Sequence, residues 1–284
     1  LIATSALPNA SADQKIVFDV GYEKVSMISA GTTAEDYFEL GSTAYKAKKY
    51  ADAINYFSKA IELDPQDIDA YYNRGLSYTK AGNLTQAITD FNVVIRFNPR
   101  DSVAYHNRGY AYYELGNLVQ AINDYNSALS FNPYLSEAYY NRGNAFLDQG
   151  NFSQAISDYD KAIALKPLYS SAYNNRGRTY YKIGNLTQAM IDYNMAVSCD
   201  PNNSMAYYNR GLLYYCLGNM IQAIANYDMA IKINPKLWQA YNNRGLSYEA
   251  IGNVDRAIWN YQKAFELNPR NQVIRDNLNR LQSR

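Results

Sequence analysis

The sequence is poor in the residues that most often carry chemistry. Its 284 residues include one histidine, His106, and two cysteines, Cys199 and Cys216. Neither a metal site with Cys-x-x-Cys spacing nor a framework of disulfides can be built from them, and no phosphate loop or nucleophile elbow occurs. We therefore expect no enzyme activity, no metal and no cofactor, and we expect both cysteines to be small buried apolar residues.

An excess of charge of either sign is also missing, as are long hydrophobic runs. Lys and Arg together number 27, and Asp and Glu together number 26. Proteins that bind nucleic acid usually show a clear basic surplus, and a membrane-spanning helix needs about 20 apolar residues in a row. The sequence therefore predicts no nucleic-acid partner and no transmembrane span.

What the sequence does have is an internal repeat. The motif Tyr-Tyr-Asn-Arg-Gly at 139–143 recurs, with changes only at its second residue, at a constant interval of 34 residues from 71 to 245. A fixed period of this size indicates a solenoid whose units bury their apolar faces against one another. We expect seven repeats in residues 34–271, namely 34–67, 68–101, 102–135, 136–169, 170–203, 204–237 and 238–271.

Each repeat has the pattern of two helices. In the fourth repeat, Ser136 is predicted to cap the first helix, and Gly150 to end it in a left-handed conformation. Asn151 and Gln154 have the spacing of a capping box at the start of the second helix. The first repeat has a Lys-Lys pair at 48–49 instead of Gly-Asn, so we expect it to be the least stable unit.

Glycine at position eight of every repeat falls inside the first predicted helix, where it costs about 1 kcal/mol relative to alanine. We expect these glycines to allow close helix packing against the alanine at position 20. They are Gly41, Gly75, Gly109, Gly143, Gly177, Gly211 and Gly245, and the alanines are Ala53, Ala87, Ala121, Ala155, Ala189, Ala223 and Ala257.

Arginine at position seven recurs in six repeats, at 74, 108, 142, 176, 210 and 244. Asp90, Asp124, Asp158 and Asp192 recur on the second helices. We predict buried or half-buried Arg–Asp pairs, which fix register more surely than they add stability. Whether the pairs lie within or between repeats is open.

The residues that recur most regularly in each repeat resemble the tetratricopeptide repeat family. In the fourth repeat they are Tyr139, Gly143, Phe146, Ala155, Tyr159, Ala162 and Pro167. The resemblance covers residues 34–269, with Ala44 and Val94 as minor departures. It implies an all-α fold, a right-handed α-solenoid (superhelix) of seven helix-turn-helix repeats, and we expect a C-terminal capping helix at 272–284.

The same resemblance implies that repeat positions two, five, six, nine, twelve and thirteen line a concave groove that holds extended peptides. Position six carries an asparagine ladder, similar to that in the repeat domain of O-linked N-acetylglucosamine transferases. Its members are Asn73, Asn107, Asn141, Asn175, Asn209 and Asn243. A carboxamide both donates and accepts hydrogen bonds, so it can pair with a peptide backbone of any sequence. The alternative is that these side chains bond their own helices or neighbouring repeats.

Aromatic and basic residues surround the ladder. Position five includes Tyr72, His106, Tyr140 and Tyr208, and position twelve includes Tyr113, Tyr181 and Tyr215. Their rings either contact a partner or pack between repeats. Arg178 and Lys182 lie one helical turn apart and offer a local cationic patch for a carboxylate.

Three functions follow from these features. The first is a non-enzymatic scaffold or assembly factor that holds an extended segment of a protein partner in the groove. The second is a single-stranded RNA reader with one base per repeat, which the near-zero net charge disfavours. The third is the substrate-binding arm of a larger enzyme.

Residues 1–33 do not follow the repeat and are expected to be partly extended or disordered. Apolar residues alternate over 16–22, and this segment is predicted either to cap the first repeat or to occupy the groove of its own chain or a neighbour's, which would allow self-association. Ala10-Ser11-Ala12 resembles the end of a signal peptide. Location therefore stays open, with the cytoplasm favoured and export or the periplasm as the alternative.

Overall fold

The computed structural model describes residues 32–282. The expectations for the alternating segment at 16–22 and for Ala10-Ser11-Ala12 lie outside these described residues. Within them the secondary structure is entirely helical, as the repeat pattern predicts. The helices are α1 (Ala34–Lys46), α2 (Tyr50–Leu63), α3 (Ile68–Ala81), α4 (Leu84–Phe97), α5 (Ser102–Glu114), α6 (Leu118–Phe131), α7 (Ser136–Asp148), α8 (Phe152–Leu165), α9 (Ser170–Lys182), α10 (Leu186–Cys199), α11 (Ser204–Cys216), α12 (Met220–Ile233), α13 (Trp238–Ala250), α14 (Val254–Leu267) and α15 (Gln272–Gln282).

The helices form a solenoid of consecutive pairs. Each odd-numbered helix from α1 to α13, here called a first helix, packs along the even-numbered second helix that follows it, and each second helix packs on the next first helix. First helices of neighbouring repeats also approach one another closely along the whole stack. Because successive second helices make no comparable approach within the described residues, the first helices lie on the inner side of the curve.

The turn between the two helices of a repeat uses glycine for its backbone conformation. Gly150 has φ +79°, and the equivalent glycines of the other repeats after the first have φ between +77° and +82°. An l-amino acid other than glycine is strained in this left-handed region. The first repeat forms the same turn with Lys48 at φ +60°, so it adopts the conformation without the residue that suits it.

Two of the predicted caps in the fourth repeat are wrong. The residue before α7 is Leu135, which makes no side-chain cap, and the Ser136 hydroxyl donates instead to Glu137. Asn151 does precede α8, but its side chain makes no hydrogen bond to the helix. A capping box is present at α1, where Thr33 and Asp36 bond each other's backbone amides.

The position-eight glycines make room for an aromatic ring rather than for alanine. A Cβ placed on Gly143 would lie 2.8 Å from Cε1 of Tyr159, and one on Gly41 would lie 2.7 Å from the ring of Phe57. The prediction that alanine at position 20 is the facing residue is therefore wrong in its main contact. The aromatic side chain at position 24 fills the space, and it is fully or almost fully buried in every repeat.

The predicted Arg–Asp pairs are confirmed, and they lie within repeats. In the second repeat, Nε and Nη2 of Arg74 donate to the two carboxylate oxygens of Asp90, both at 2.8 Å. The third nitrogen, Nη1, donates to Ser58 of the preceding repeat at 3.1 Å. The same fork recurs in the next three repeats, as Arg108–Asp124, Arg142–Asp158 and Arg176–Asp192. Each arginine thus joins both helices of its own repeat to the repeat before it.

The C-terminal helix α15 closes the stack as predicted. Ile274 and Leu281 are buried against the seventh repeat, whereas Val273 on the other side is 62% exposed. Arg280 forms an ion pair with Glu249 of α13. The helix therefore covers the apolar end of the last repeat and presents a mostly polar surface.

Replacing Lys48 with glycine should stabilise the protein. The strain of a left-handed lysine is about 1–2 kcal/mol and the added freedom of glycine in the unfolded chain offsets up to about 1 kcal/mol, so we expect a net gain of about 0.5–1 kcal/mol, measured by urea denaturation. Lys49→Gly, at a neighbouring residue with φ −87°, is the control. A loss of stability for Lys48→Gly, or an equal gain for both variants, would contradict this explanation of the turn.

Candidate functional site

The asparagine ladder connects neighbouring repeats along the inner helices. In each case Nδ2 of the position-six asparagine donates to the position-five side chain of the preceding repeat. The pairs are Asn107 to Tyr72 at 3.0 Å, Asn141 to His106 at 2.9 Å, Asn175 to Tyr140 at 3.1 Å, Asn209 to Asn174 at 2.9 Å, and Asn243 to Tyr208 at 3.2 Å. The first helices are thus joined by a line of side-chain hydrogen bonds.

Asn73 is the exception, and its neighbour explains why. Position five of the first repeat is Phe38, whose ring offers no acceptor. The Asn73 amide donates instead to the backbone carbonyl of Asp69 in its own helix, at 2.8 Å. Of the two structural alternatives for the ladder, bonding to the own helix therefore holds for Asn73 and bonding to the neighbouring repeat holds for the other five.

The ladder extends one step further than the sequence reading. Nδ2 of Asn277 in α15 donates to Oδ1 of Asn242 at 3.1 Å. Asn277 stands 34 residues after Asn243, so it occupies position six of an incomplete eighth repeat. The interval itself was a usable signal, but residues 272–284 were interpreted only as a solubilising cap.

The ladder bonds leave part of the carboxamides for a ligand. Among the described residues, no hydrogen bond reaches Oδ1 of Asn141 or Asn209, while Oδ1 of Asn175 accepts from Asn174. Asn141 is half-buried, so part of it faces solvent, and Asn209 is 9% exposed. Because the inter-repeat bond fixes the amide, the free oxygen is an acceptor held in a set direction. Peptide binding by the ladder stays a prediction.

The position-five side chains act first as acceptors for the ladder. Burial raises the pKa of Tyr72 to about 12, so its hydroxyl stays protonated and neutral. Burial lowers the pKa of His106, which favours the neutral imidazole whose Nε2 accepts from Asn141. The rings of Tyr72 and Tyr140 also pack edge-on or tilted against Phe91 and Tyr159 at position 24 of their own repeats. The packing role of these residues is thus present whether or not they contact a partner.

The position-twelve tyrosines differ from one another. The Tyr113 hydroxyl donates to the carboxylate of Asp148 in the next repeat at 2.5 Å, and burial together with this carboxylate raises the pKa of Tyr113. Oη of Tyr181 lies 3.1 Å from Sγ of Cys216. Tyr215 is half-buried against the core of the sixth repeat. Two of the three thus add contacts between repeats.

Both cysteines depart from the prediction of burial. Cys216 is exposed and Cys199 is half-buried. Cys216 stands at position thirteen, beside the Tyr181 hydroxyl on the first-helix surface, and so it is not part of the apolar core.

Arg178 and Lys182 are both exposed, and neither forms an ion pair within the described residues. Burial raises the pKa of Tyr159 and Tyr193, and the positive charge of Arg178 opposes both shifts. The guanidinium of Arg178 therefore lies near the phenol groups of two repeats. The pair remains available to an acidic group of a ligand.

The described residues give no sign of two other kinds of site. No group of three or more His, Cys, Asp or Glu residues among them is placed to hold a metal ion. None of their helices has the length and apolar character that crossing a bilayer requires.

Family comparison accounts for this architecture. A TPR repeat model matches residues 41–82, 75–116 and 109–150, and three tetratricopeptide repeat models match 140–204, 204–237 and 239–271. The chain belongs to the tetratricopeptide repeat family. The TPR fold inferred from the sequence is thereby confirmed. No curated protein matches the chain in sequence.

Solved TPR structures resemble the chain over most of its length. A tetratricopeptide repeat protein from Parabacteroides merdae ATCC 43184 is 23% identical with a TM-score of 0.70, covering 89% of this chain and 100% of that one. MamA is 28% identical with a TM-score of 0.51, covering 59% and 92%. YrrB, described as a TPR protein with an unusual peptide-binding site, is 21% identical with a TM-score of 0.51, covering 65% and 95%. At these identities the first and third support the fold alone.

Removing ladder asparagines should separate the two kinds of hydrogen bond. Asn141→Ala removes a bond between repeats and leaves a buried acceptor on His106, so we expect a loss of about 1–2 kcal/mol. Asn73→Ala removes only a bond to its own helix, and the better helix propensity of alanine offsets much of that loss. Urea denaturation of the two variants tests this, and equal losses would show that the inter-repeat bonds have no special role.

Proposed function

We propose that this TPR chain is a non-enzymatic scaffold that holds an extended segment of a partner protein along its first helices. TPR repeats are protein-interaction modules in general, and the likeness to YrrB supports a peptide ligand in particular. Assembly of a larger complex is a natural use of such a scaffold, since one chain presents many equivalent contacts along a line.

The observation that carries the proposal is the oriented asparagine ladder. Each bond from Nδ2 to the preceding repeat restrains a carboxamide, so a peptide meets acceptors whose side-chain entropy has already been lost. A backbone N–H of an extended peptide is a suitable donor to the unbonded Oδ1 of Asn141 or Asn209. Binding of this kind depends on peptide backbone and tolerates varied side chains.

The surroundings of the ladder favour particular peptides. Tyr140 and Tyr208 offer flat aromatic area that is already ordered by packing on Tyr159 and Tyr227. Arg178 and Lys182 are exposed cations near the middle of the stack. A segment with apolar side chains and an acidic residue is therefore the best complement to this surface.

The RNA-reading alternative is less well supported. The six position-seven arginines would be its main phosphate contacts, but they are half-buried and bonded within the stack. The alternative of a binding arm in a larger enzyme uses the same groove and leads to the same peptide experiment.

The test is selection of binding peptides from a random display library, followed by fluorescence anisotropy with the selected peptide. The Asn141→Ala, Asn209→Ala double variant should bind at least tenfold more weakly, because two hydrogen bonds of about 1 kcal/mol each are lost. A matched control, Gln154→Ala with Gln222→Ala, removes two exposed amides from second helices and should bind as the wild type does.

Melting temperatures of both variants show whether each is folded at the assay temperature. Equal affinity of the ladder variant and the wild type would contradict the proposal. Tighter binding of a single-stranded RNA, with the steep salt dependence of phosphate contacts, would favour the alternative instead.

A further inference from the structure

The position-seven arginine has a different partner in the last two repeats. In the second to fifth repeats a position-23 carboxylate takes both Nε and Nη2, as Asp192 does for Arg176 at 2.9 and 2.7 Å. In the sixth and seventh repeats, asparagine stands at position 23, as Asn226 and Asn260. The arginine is retained while the carboxylate that neutralised it within its own repeat is lost.

The carboxamide satisfies only part of the guanidinium. In the seventh repeat, Oδ1 of Asn260 accepts from Nε of Arg244 at 2.8 Å, and Nδ2 of Asn260 turns away to the carbonyl of Arg256 at 2.8 Å. Nη1 of Arg244 donates to Asp228 of the preceding repeat at 2.5 Å. Within the described residues, Nη2 has no hydrogen-bond partner, although the Arg244 side chain is only 13% exposed.

The seventh repeat also differs at two positions beside this arginine. Position 19 is Arg256, where each repeat from the second to the sixth has glutamine. Position 22 is Trp259, where the other repeats have residues no larger than isoleucine. The sixth repeat shares the asparagine at position 23 but has neither the second arginine nor the tryptophan. Three changes thus coincide in one repeat.

Together these residues form a shallow surface cavity of about 220 Å³. Its lining consists of Arg244, Tyr248, Arg256, Trp259 and Asn260, which places two guanidinium groups and no carboxylate in its walls. Arg244 lies over the Trp259 ring at 5.9 Å, and Arg256 lies over the Tyr248 ring at 5.4 Å. Among the described residues, no carboxylate pairs with Arg256. The cavity includes no ladder residue, so it is separate from the proposed peptide groove.

We propose that this cavity binds a carboxylate from a polypeptide, either an acidic side chain or a C-terminus. The group that the cavity would accept has the chemistry of the aspartate that fills the equivalent place in the second to fifth repeats. Nη2 of Arg244 and the guanidinium of Arg256 supply charge-assisted donors, and the Trp259 and Tyr248 rings contact the aliphatic part of the ligand. A volume of 220 Å³ suits a group the size of one residue.

The fluorescence of Trp259 provides a local measurement. The chain has two tryptophans, so Trp238→Phe leaves Trp259 as the only tryptophan emitter. Three short peptides serve as probes: acetyl-triglutamate amide carries side-chain carboxylates, acetyl-trialanine carries a free C-terminus, and acetyl-trialanine amide is neutral. We expect a saturable change with one or both carboxylate peptides and none with the neutral peptide, and the two acidic peptides distinguish the source of the carboxylate.

Two variants in the Trp238→Phe background test the mechanism. Asn260→Asp restores the internal carboxylate, so we expect at least tenfold weaker binding and a higher melting temperature. Asn226→Asp makes the same change of charge 34 residues away and should leave binding within twofold of the parent. Arg256→Gln gives the residue of the other repeats and should weaken binding at least tenfold.

Equal binding by the Asn260→Asp and Asn226→Asp variants would overturn the proposal, as would the lack of a saturable change with either carboxylate peptide. Inorganic phosphate is titrated in parallel. A tighter dissociation constant for phosphate than for both carboxylate peptides would also overturn it, because the site would then recognise phosphate.

Discussion

The guanidinium at position seven is the interaction on which the stack depends. Through Nε and Nη2 it joins the two helices of one repeat, and through Nη1 it reaches position 25 of the repeat before, as Arg142 does with Asp158 and Asn126. Its planar fork suits a carboxylate. A half-buried charge of this kind is costly if its partner is displaced, so a shifted arrangement of neighbouring repeats is disfavoured. The constraint therefore fixes register from the second repeat to the seventh.

A fixed register gives the inner surface its regularity. Once each repeat is placed on the last one, the position-six amide meets position five of its neighbour, and the asparagine ladder forms with the same geometry at each step. The exceptions follow from local chemistry: Asn73 turns to its own helix because Phe38 has no acceptor. In the seventh repeat, loss of the position-23 aspartate leaves a donor of Arg244 unused. Structural regularity and candidate binding sites thus have a common origin.

Most of the architecture could be predicted from the sequence because the interval of 34 residues states it repeatedly. The helix pairs, the left-handed glycines and the Arg–Asp pairs all follow from residues at constant positions. Contacts that depend on how two units meet were less accessible. The ring of Tyr159 against Gly143, the acceptor of each ladder asparagine and the exposure of Cys216 depend on rotations between helices, which the spacing of residues does not specify. The cap predicted at Ser136 failed because the helix begins one residue later than a cap there requires.

The central claim is that the first helices form the surface that holds a partner segment. Hydrogen–deuterium exchange with and without a selected peptide tests this claim most directly, since it reports each helix separately. The account predicts that the bound peptide slows exchange mainly in the first helices α5, α7, α9 and α11, with little change in the second helices between them. Protection concentrated in the second helices, or an absence of protection on saturation with peptide, would contradict it.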